Sequence, residues 1–332
     1  MGIEFTVYKG SPEGKIVKST THKDDLSPNE VLVKVTHSGL CGTDAHHKHR
    51  DIVLGHEGVG IVQEIGKDVK GFQVGDRAGW GYEHDSCGRC EQCFSGQEIY
   101  CRERHIYALS DLDQGSFATH AVWKESFLFQ IPEKLDSADA APLMCGGATV
   151  FNTLHSYGVE ASHRVGVVGV GGLGHLAIQF ASKMGCEVVV FSGTNSKEEE
   201  ARQLGAREFV AIKGVKKLSI KPVNHLLVTT SAQPDWTLYL SVMAPGGTIF
   251  PLGVSDGNLS IPYMPIISRG LRIQGVLVAA RNVHNKMLQF AAFHGIKPII
   301  QTFPLNVEGI EEAMHKLEKG QLRYRAVLIA QD

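Results

Sequence analysis

Between His163 and Gly185 the chain runs "HRVGVVGVGGLGHLAIQFASKMG". Its first part is a short valine-rich run, the composition of a strand buried on both faces. Its second part places Leu176, Ala177, Phe180, Ala181 and Met184 along one stripe at helical spacing. Between them lies Gly169-Val170-Gly171-Gly172-Leu173-Gly174, a G-x-G-x-x-G whose glycines stand at 169, 171 and 174. Alone that motif is weak. After a strand and at the opening of a helix it marks a dinucleotide site. Gly169 permits a tight turn, Gly171 lets a pyrophosphate approach the backbone, and Gly174 lets helix and strand pack closely. Gly172 and Leu173 fall where the helix N-terminus directs its N–H groups and positive dipole end at the phosphates.

Downstream, "CEVVVFS", "EFVA", "HLLVTT", "GGTIFPLG" and "RIQGVLV" read as strands, with "SKEEEARQLG" as a helix between the first two. Such alternation implies right-handed crossovers and a parallel sheet. The stretch "IKGVKKLSIKPVN" holds Gly214 and Pro222 and reads poorly as a crossover helix. Residues 1 to 136 differ in kind: "EFTVYKG", "EVLVKVTHSG", "GVGIVQEIG", "GDRAGWG" and "SFATHAVW" are strand-like pieces separated by turns. After residue 283, "NVHNKMLQFAAFHG" and "VEGIEEAMHKLEKG" read as helices and "RYRAVLIA" as a closing strand. The expected class is α/β, with a doubly wound parallel sheet over 137–282 inserted into a mostly-β domain of residues 1–136 and 283–332.

The end of the second strand bears on the cofactor. An NAD site places an Asp or Glu there to accept bonds from the ribose 2′-hydroxyl. This chain offers Ser192, Gly193, Thr194, Asn195, Ser196 and Lys197, with no acid before Glu198. A carboxylate would repel a 2′-phosphate, whereas hydroxyls, an amide and an ammonium would hold one. NADP(H) is therefore expected, with Ser192, Thr194, Asn195, Ser196 and Lys197 as its contacts. Ser196 and Glu199 also have the spacing of a capping box for the next helix.

Four of the seven cysteines fall between Ser86 and Cys101, in "SCGRCEQCFSGQEIYC". The spacing of Cys87, Cys90, Cys93 and Cys101 admits disulfides or one tetrahedral zinc. The intervening residues are turn formers and solvated polars that supply almost no core, so a metal would provide the folding energy the loop lacks. A structural zinc on these four cysteines is expected.

Composition narrows the function. The chain has 332 residues, 43% hydrophobic and 20% charged, the profile of a globular protein with a sizeable core. With 33 Lys and Arg against 35 Asp and Glu, it has no basic excess with which to bind nucleic acid or an acidic membrane surface. It has no 18-residue apolar run and no basic-then-apolar leader, so no membrane role is expected and the expected compartment is the cytoplasm. Reduced thiols there favour metal over disulfides.

A second metal site is signalled by Cys41 in "GLCGTDAH", His56 in "GHEGVGIVQEIGKDV" and Cys145 in "PLMCGGATV". Two cysteines and a histidine match a catalytic zinc that keeps its fourth position open. With the zinc signature from Gly55, the four-cysteine lobe, "GVVGVGGLGHLAIQFA" and the closing "RYRAV", the chain resembles the zinc-dependent medium-chain alcohol dehydrogenases, most closely the cinnamyl-alcohol-dehydrogenase-like branch. The resemblance implies a catalytic domain with a partly open β-barrel core, interrupted by a Rossmann domain, and a homodimer. It makes Cys41, His56 and Cys145 catalytic zinc ligands, with Glu57 beside the metal as an alternative ligand. It also gives Asp44 the orientation of a ligating histidine, Thr43 the bond to the substrate oxygen, His46 the onward passage of its proton, and Arg325 a place among the cofactor residues. Two zinc ions per chain, NADP(H) and a small-molecule aldehyde or alcohol substrate follow. A polyol or sugar dehydrogenase of the same superfamily, or a nucleotide-binding protein that has lost catalysis, are the alternatives. The connection from Asp44 to His56, "AHHKHRDIVLG", is several residues shorter than relatives carry, which predicts a wider substrate mouth rimmed by His47, Lys48 and His49. The aromatic residue that lines the pocket in plant relatives falls on Ile106.

Overall fold

The computed structural model describes every residue except Met1, Asp256 and Asp332. The chain packs as two compact units, one built from residues up to Ala148 and from Val278 onward, the other from Thr149–Leu277.

The first unit opens with β1 (Ile3–Lys9) and β2 (Val17–Lys23), an antiparallel pair. Next come β3 (Glu30–Leu40), the short helix α1 (Gly42–His47) and β4 (Gly58–Ile65). Strands β5 (Arg77–Trp80) and β6 (Glu83–Asp85) lead into the cysteine-rich lobe with α2 (Glu91–Phe94). Then follow β7 (His105–Ile106), β8 (His120–Lys124), β9 (Phe129–Gln130) and helix α3 (Ser137–Pro142). A π-helical turn over Leu143–Gly147 runs into α4 (Ala148–Ser156). Helix α3 packs on β3 and β4, which keeps residues 137–148 with the first unit rather than with the sheet that follows.

The second unit is the doubly wound sheet. It comprises β10 (Arg164–Val168), α5 (Gly174–Lys183), β11 (Glu187–Ser192), α6 (Glu198–Gln203), β12 (Glu208–Ala211) and β13 (Val223–Val228). It continues through α7 (Trp236–Leu240), β14 (Met243–Pro251), α8 (Tyr263–Arg269) and β15 (Arg272–Ile273). All six strands are parallel, in the order β12-β11-β10-β13-β14-β15. That order reverses at β10, the point at which such sheets bind ligands. Val165 and Val167 of β10, Val188, Val189 and Val190 of β11 and Leu176, Ala177, Phe180 and Ala181 of α5 are fully buried, while Met184, just past α5, is half-buried; each valine, leucine or phenylalanine contributes about 1.5–3 kcal/mol by leaving water. Between β12 and β13 the chain forms turns and no helix, as Gly214 and Pro222 predict. The expected strand "RIQGVLV" shortens to the two residues of β15, since pairing with β14 ends at Ile273, two residues before Gly275.

The chain returns to the first unit through α9 (Arg281–His294), β16 (Ile300–Pro304), α10 (Val307–Glu318) and β17 (Arg325–Ile329). The sheet order there is β16-β17-β3-β4-β5-β9, with β8 also on β3. Eleven residues long, β3 gives one edge to β4 and divides the other between β8 at Glu30–Lys34 and β17 at His37–Leu40. That division lets the sheet curl around a core containing Trp80 and Trp123, whose rings lie 5.5 Å apart.

Candidate active site

Two cysteine-containing clusters form, both within the first unit. Cys41, His56, Glu57 and Cys145 bring one ligand atom each to within 4.8 Å of one another, and so do Cys87, Cys90, Cys93 and Cys101.

Strand pairing builds the first cluster. Ser38 of β3 lies opposite Gly58 of β4, so the residues just beyond β3 and just before β4 are neighbours. Cys41 follows β3 and stands at the head of α1, while His56 and Glu57 precede β4. Cys145 arrives from the π-helical turn, a kind of irregularity that recurs at functional sites. Gly55 holds a φ of +91° there, and a Cβ on it would come within 2.4 Å of the Ser116 hydroxyl. Only glycine fits.

Asp44 organises the cluster from the first turn of α1. Its carboxylate is fully buried, and its Oδ2 accepts from the Cys41 backbone N–H at 2.9 Å. Its Oδ1 accepts from His56 Nδ1 at 3.0 Å and from the Gly55 N–H at 3.1 Å. Because an ionised carboxylate only accepts, Nδ1 carries a proton toward Asp44, which leaves Nε2 as the nitrogen free to take a metal in exchange for its own proton. Nε2 is buried with no hydrogen-bond partner. Burial opposes a charge on His56, but Asp44 and Cys41 outweigh it, and its pKa stands well above the usual histidine value. The hydrogen bond with Cys145 holds the Cys41 thiol well below its ordinary pKa, and the same bond holds Cys145 well above.

Glu57 is fully buried. Arg325 donates to its Oε1, while its Oε2 is buried without a hydrogen-bond partner. Burial raises the Glu57 pKa to about 7 against the opposing pull of Arg325. Arg325, expected among the cofactor residues, is itself 6% exposed with its guanidinium on Glu57. Thr43 is half-buried, with its Oγ1 3.8 Å from the Cys41 sulfur, and His46, three residues on, is exposed to solvent. Lys48 pairs with Glu318 at 3.0 Å and His49 meets the Pro12 carbonyl at 3.2 Å, both on other parts of the unit. Of the three expected rim residues, His47 reaches the site's surroundings, its ring 5.8 Å from that of Tyr107. Ile106 is buried and pairs with Glu83 between β6 and β7.

Sequence reasoning missed Tyr107, the next residue. Its ring stacks on His56 with centroids 4.7 Å apart, and its hydroxyl donates to Asp44 Oδ1 at 2.9 Å. No spacing rule links positions 44, 56 and 107, so nothing in the sequence signalled it.

In the second cluster the sulfurs stand 3.5 Å (Cys87–Cys101), 3.6 Å (Cys90–Cys93) and 3.9 Å (Cys87–Cys93) apart. All seven cysteines are free thiols. A tetrahedron with zinc–sulfur bonds of about 2.3 Å has edges of about 3.8 Å, so the lobe has the dimensions of a structural zinc site. The first cluster also fits zinc, on the orphaned Nε2 and its two thiols. Glu98 and Arg281 pair at 3.1 Å and tie the lobe to the start of α9.

In the second unit, Gly169 adopts a φ of +92° at a tight turn, and a Cβ on Gly174 would come within 2.0 Å of the Gly169 carbonyl, so helix and strand pack closely there. No protein atom lies within 4 Å of where a Gly171 Cβ would stand. Gly172 and Leu173 lead directly into α5. At the end of β11, Thr194 and Ser196 hydroxyls bond each other at 2.9 Å and Lys197 Nζ donates to the Val170 carbonyl at 2.7 Å. The charge of Lys197 thus sits beside the glycine loop. The Ser196–Glu199 capping box does not form: α6 begins after a 3₁₀ turn with no side-chain cap, and Glu199 accepts from Gln203 instead.

The profile described as "Alcohol dehydrogenase GroES-like domain" matches residues 27–133, and "Zinc-binding dehydrogenase" matches residues 172–292. An alcohol dehydrogenase of Geobacillus stearothermophilus is 34% identical over 319 residues, 91% of this chain and 92% of its own. "Probable formaldehyde dehydrogenase AdhA" of Bacillus subtilis (strain 168) is 33% identical over 331 residues, 95% of this chain and 94% of its own. The solved cinnamyl alcohol dehydrogenase SbCAD4 of Sorghum bicolor superposes with a TM-score of 0.91 at 30% identity, covering 98% of each chain. A GroES-like unit carrying two cysteine clusters, joined to a Rossmann sheet, defines a zinc-binding dehydrogenase. The chain belongs to the zinc-dependent medium-chain alcohol dehydrogenase family, with its likeness extending to the cinnamyl-alcohol-dehydrogenase branch. Among the described residues, no helix is long and apolar enough to cross a membrane.

Proposed function

We propose that the protein is an NADP(H)-linked aldehyde reductase and alcohol dehydrogenase holding two zinc ions. The observation that carries this is the convergence of Cys41, His56 and Cys145, with Nε2 oriented by Asp44 and left without another partner. These three residues hold the catalytic zinc, with Glu57 as an alternative ligand, and Cys87, Cys90, Cys93 and Cys101 hold the structural one. The catalytic zinc, when bound, supplies Lewis acidity at the substrate oxygen.

The chain's own residues do the rest. Thr43 Oγ1 bonds the substrate oxygen and takes or gives its proton. His46, one helical turn on and exposed, exchanges that proton with solvent. Gly169, Gly171, Gly172, Leu173 and Gly174 receive the pyrophosphate, and Arg325, expected among the cofactor residues, keeps a buried Nε–H without a hydrogen-bond partner. Ser192, Thr194, Asn195, Ser196 and Lys197 receive the 2′-phosphate. The acids that follow are engaged along α6, Glu198 with Arg202 at 2.8 Å and Glu199 with Gln203, which supports NADP(H) over NAD(H).

The substrate is an aldehyde or alcohol, the class in the names of relatives such as the alcohol and formaldehyde dehydrogenases. The short Asp44–His56 connection removes channel wall, so bulky aldehydes are tolerated with modest differences, since apolar pockets discriminate by about 1–3 kcal/mol per methylene. No nucleic acid or membrane is a partner, and the compartment is the cytoplasm. The protein is a homodimer: β15 is an edge strand, and beside it α8 exposes Tyr263, Met264 and Ile267. A panel from acetaldehyde to two-ring aldehydes, assayed with NADPH and NADH, tests the function. Turnover of aromatic aldehydes with NADPH preferred is the expected result. Turnover confined to polyols, or none with either cofactor, would reject it.

A further inference from the structure

We infer that Tyr107 is a positioning residue for the ligand His56, acting on the imidazole both directly and through Asp44. This rests on the assignment of a zinc to Cys41, His56 and Cys145. Tyr107 follows β7, is 1% exposed, and its backbone N–H bonds the Tyr82 carbonyl at 2.8 Å, which anchors its Cα independently of the cluster. Two parts of one side chain then restrict the histidine in different ways.

The hydroxyl acts on the carboxylate. Asp44 Oδ1 accepts from His56 Nδ1, from the Gly55 N–H and, at 2.9 Å, from the Tyr107 O–H, while Oδ2 accepts from Cys41. Three of the four donors converge on Oδ1 and one on Oδ2, so Oδ1 is the more heavily held oxygen. The tyrosine oxygen also accepts from the Gly55 N–H at 3.1 Å, so the hydroxyl ties the carboxylate to the backbone just before His56. Without it Oδ1 keeps only the imidazole and the Gly55 N–H, and the carboxylate gains freedom to rotate.

The ring acts on the imidazole. It stacks on His56 at 29° between planes, while Tyr82 meets His56 edge-on at 5.8 Å and 85°. One ring covers a face and the other abuts the imidazole, so rotation about its Cβ–Cγ bond is blocked. Together these contacts aim the Nε2 lone pair at the two thiols, the kind of outer support whose loss costs metal affinity.

The test is zinc release to a chelator from the purified holoenzyme, followed for each ion. Tyr107→Phe keeps the ring and removes the hydroxyl; Tyr107→Leu removes both, and either folded variant suffices. Y107F is expected to lose one zinc per chain about 10–100-fold faster than wild type, with Y107L faster again. The other zinc, on the four-cysteine lobe, should leave at the wild-type rate and so reports intact folding. In an Asp44→Asn background Y107F should add little, because the hydroxyl works through that carboxylate. Release of Y107F at the wild-type rate would overturn the inference. So would an effect undiminished by D44N, which would make Tyr107 a packing residue only. If Cys145→Ala leaves the wild-type zinc content unchanged, the zinc assignment itself falls, and Tyr107 with it.

Discussion

Cys145 sits apart from the other ligands in sequence, and its substitution separates metal from cofactor. Cys145→Ala removes one of the two cluster thiols and leaves the glycine loop of the second unit untouched. Zinc content should fall from two to one per chain by elemental analysis, and turnover should drop by at least about 100-fold with the loss of the substrate-polarising ion. Binding of NADPH, followed by fluorescence titration, should stay within a few-fold of wild type. Two zincs retained, or NADPH binding lost, would contradict the assignment of Cys145. At this scale the candidate ligands were legible through the family resemblance that their flanking motifs carry, since the chain has 16 histidines and rarity alone would not single one out. Tyr107 was not, since a tyrosine among strand residues reads as core until its hydroxyl is seen on Asp44.

Among the elements, the end of β11 carries the cofactor preference. Gly193 is exposed, and a Cβ there would meet no atom within 4 Å, so a side chain fits without distortion. Gly193→Asp adds a carboxylate beside Thr194, Ser196 and Lys197, where it repels a 2′-phosphate and accepts from a 2′-hydroxyl. The NADPH-to-NADH ratio of kcat/KM should fall by about tenfold or more, about 1.4 kcal/mol, mainly through KM for NADPH. An unchanged ratio would move phosphate recognition elsewhere. The four-cysteine lobe is also an element-scale feature: α2 and a 3₁₀ turn contribute only Glu98 and Ile99 to buried space, so the sulfurs and the Glu98–Arg281 pair hold it in place. Helix patterns and strand runs were legible because the core imposes their periods. The capping box was not, because a 3₁₀ turn at Asn195–Lys197 intervenes and Ser196 bonds Thr194 instead.

On the whole molecule, the exposed side chains of α8 set the expectation for assembly. Tyr263 is 83%, Met264 67% and Ile267 66% exposed, on a short helix beside edge strand β15. Contiguous apolar surface of this kind marks an interaction site, and an open strand edge invites pairing with a second copy. Ile267→Asp should convert a dimer of twice 36.1 kDa into a monomer by light scattering, with both zinc ions retained. A wild-type protein that is monomeric at micromolar concentration would refute the dimer outright.

By itself the sequence determined the two architectures, the glycine loop and the four-cysteine lobe. Each is written in local periodicity or in rare residues at short spacing, and local physics decides those. Tertiary structure alone decided what meets across long separations. The antiparallel register of β3 and β4 brought Cys41 to His56, a π-helical turn delivered Cys145, and β17 carried Arg325 onto Glu57 across 268 positions. The same packing placed Tyr107 against His56 and took Ile106 into the core. A one-residue step along an extended chain turns a side chain to the opposite face, and only strand pairing says which of two neighbours faces the metal cluster.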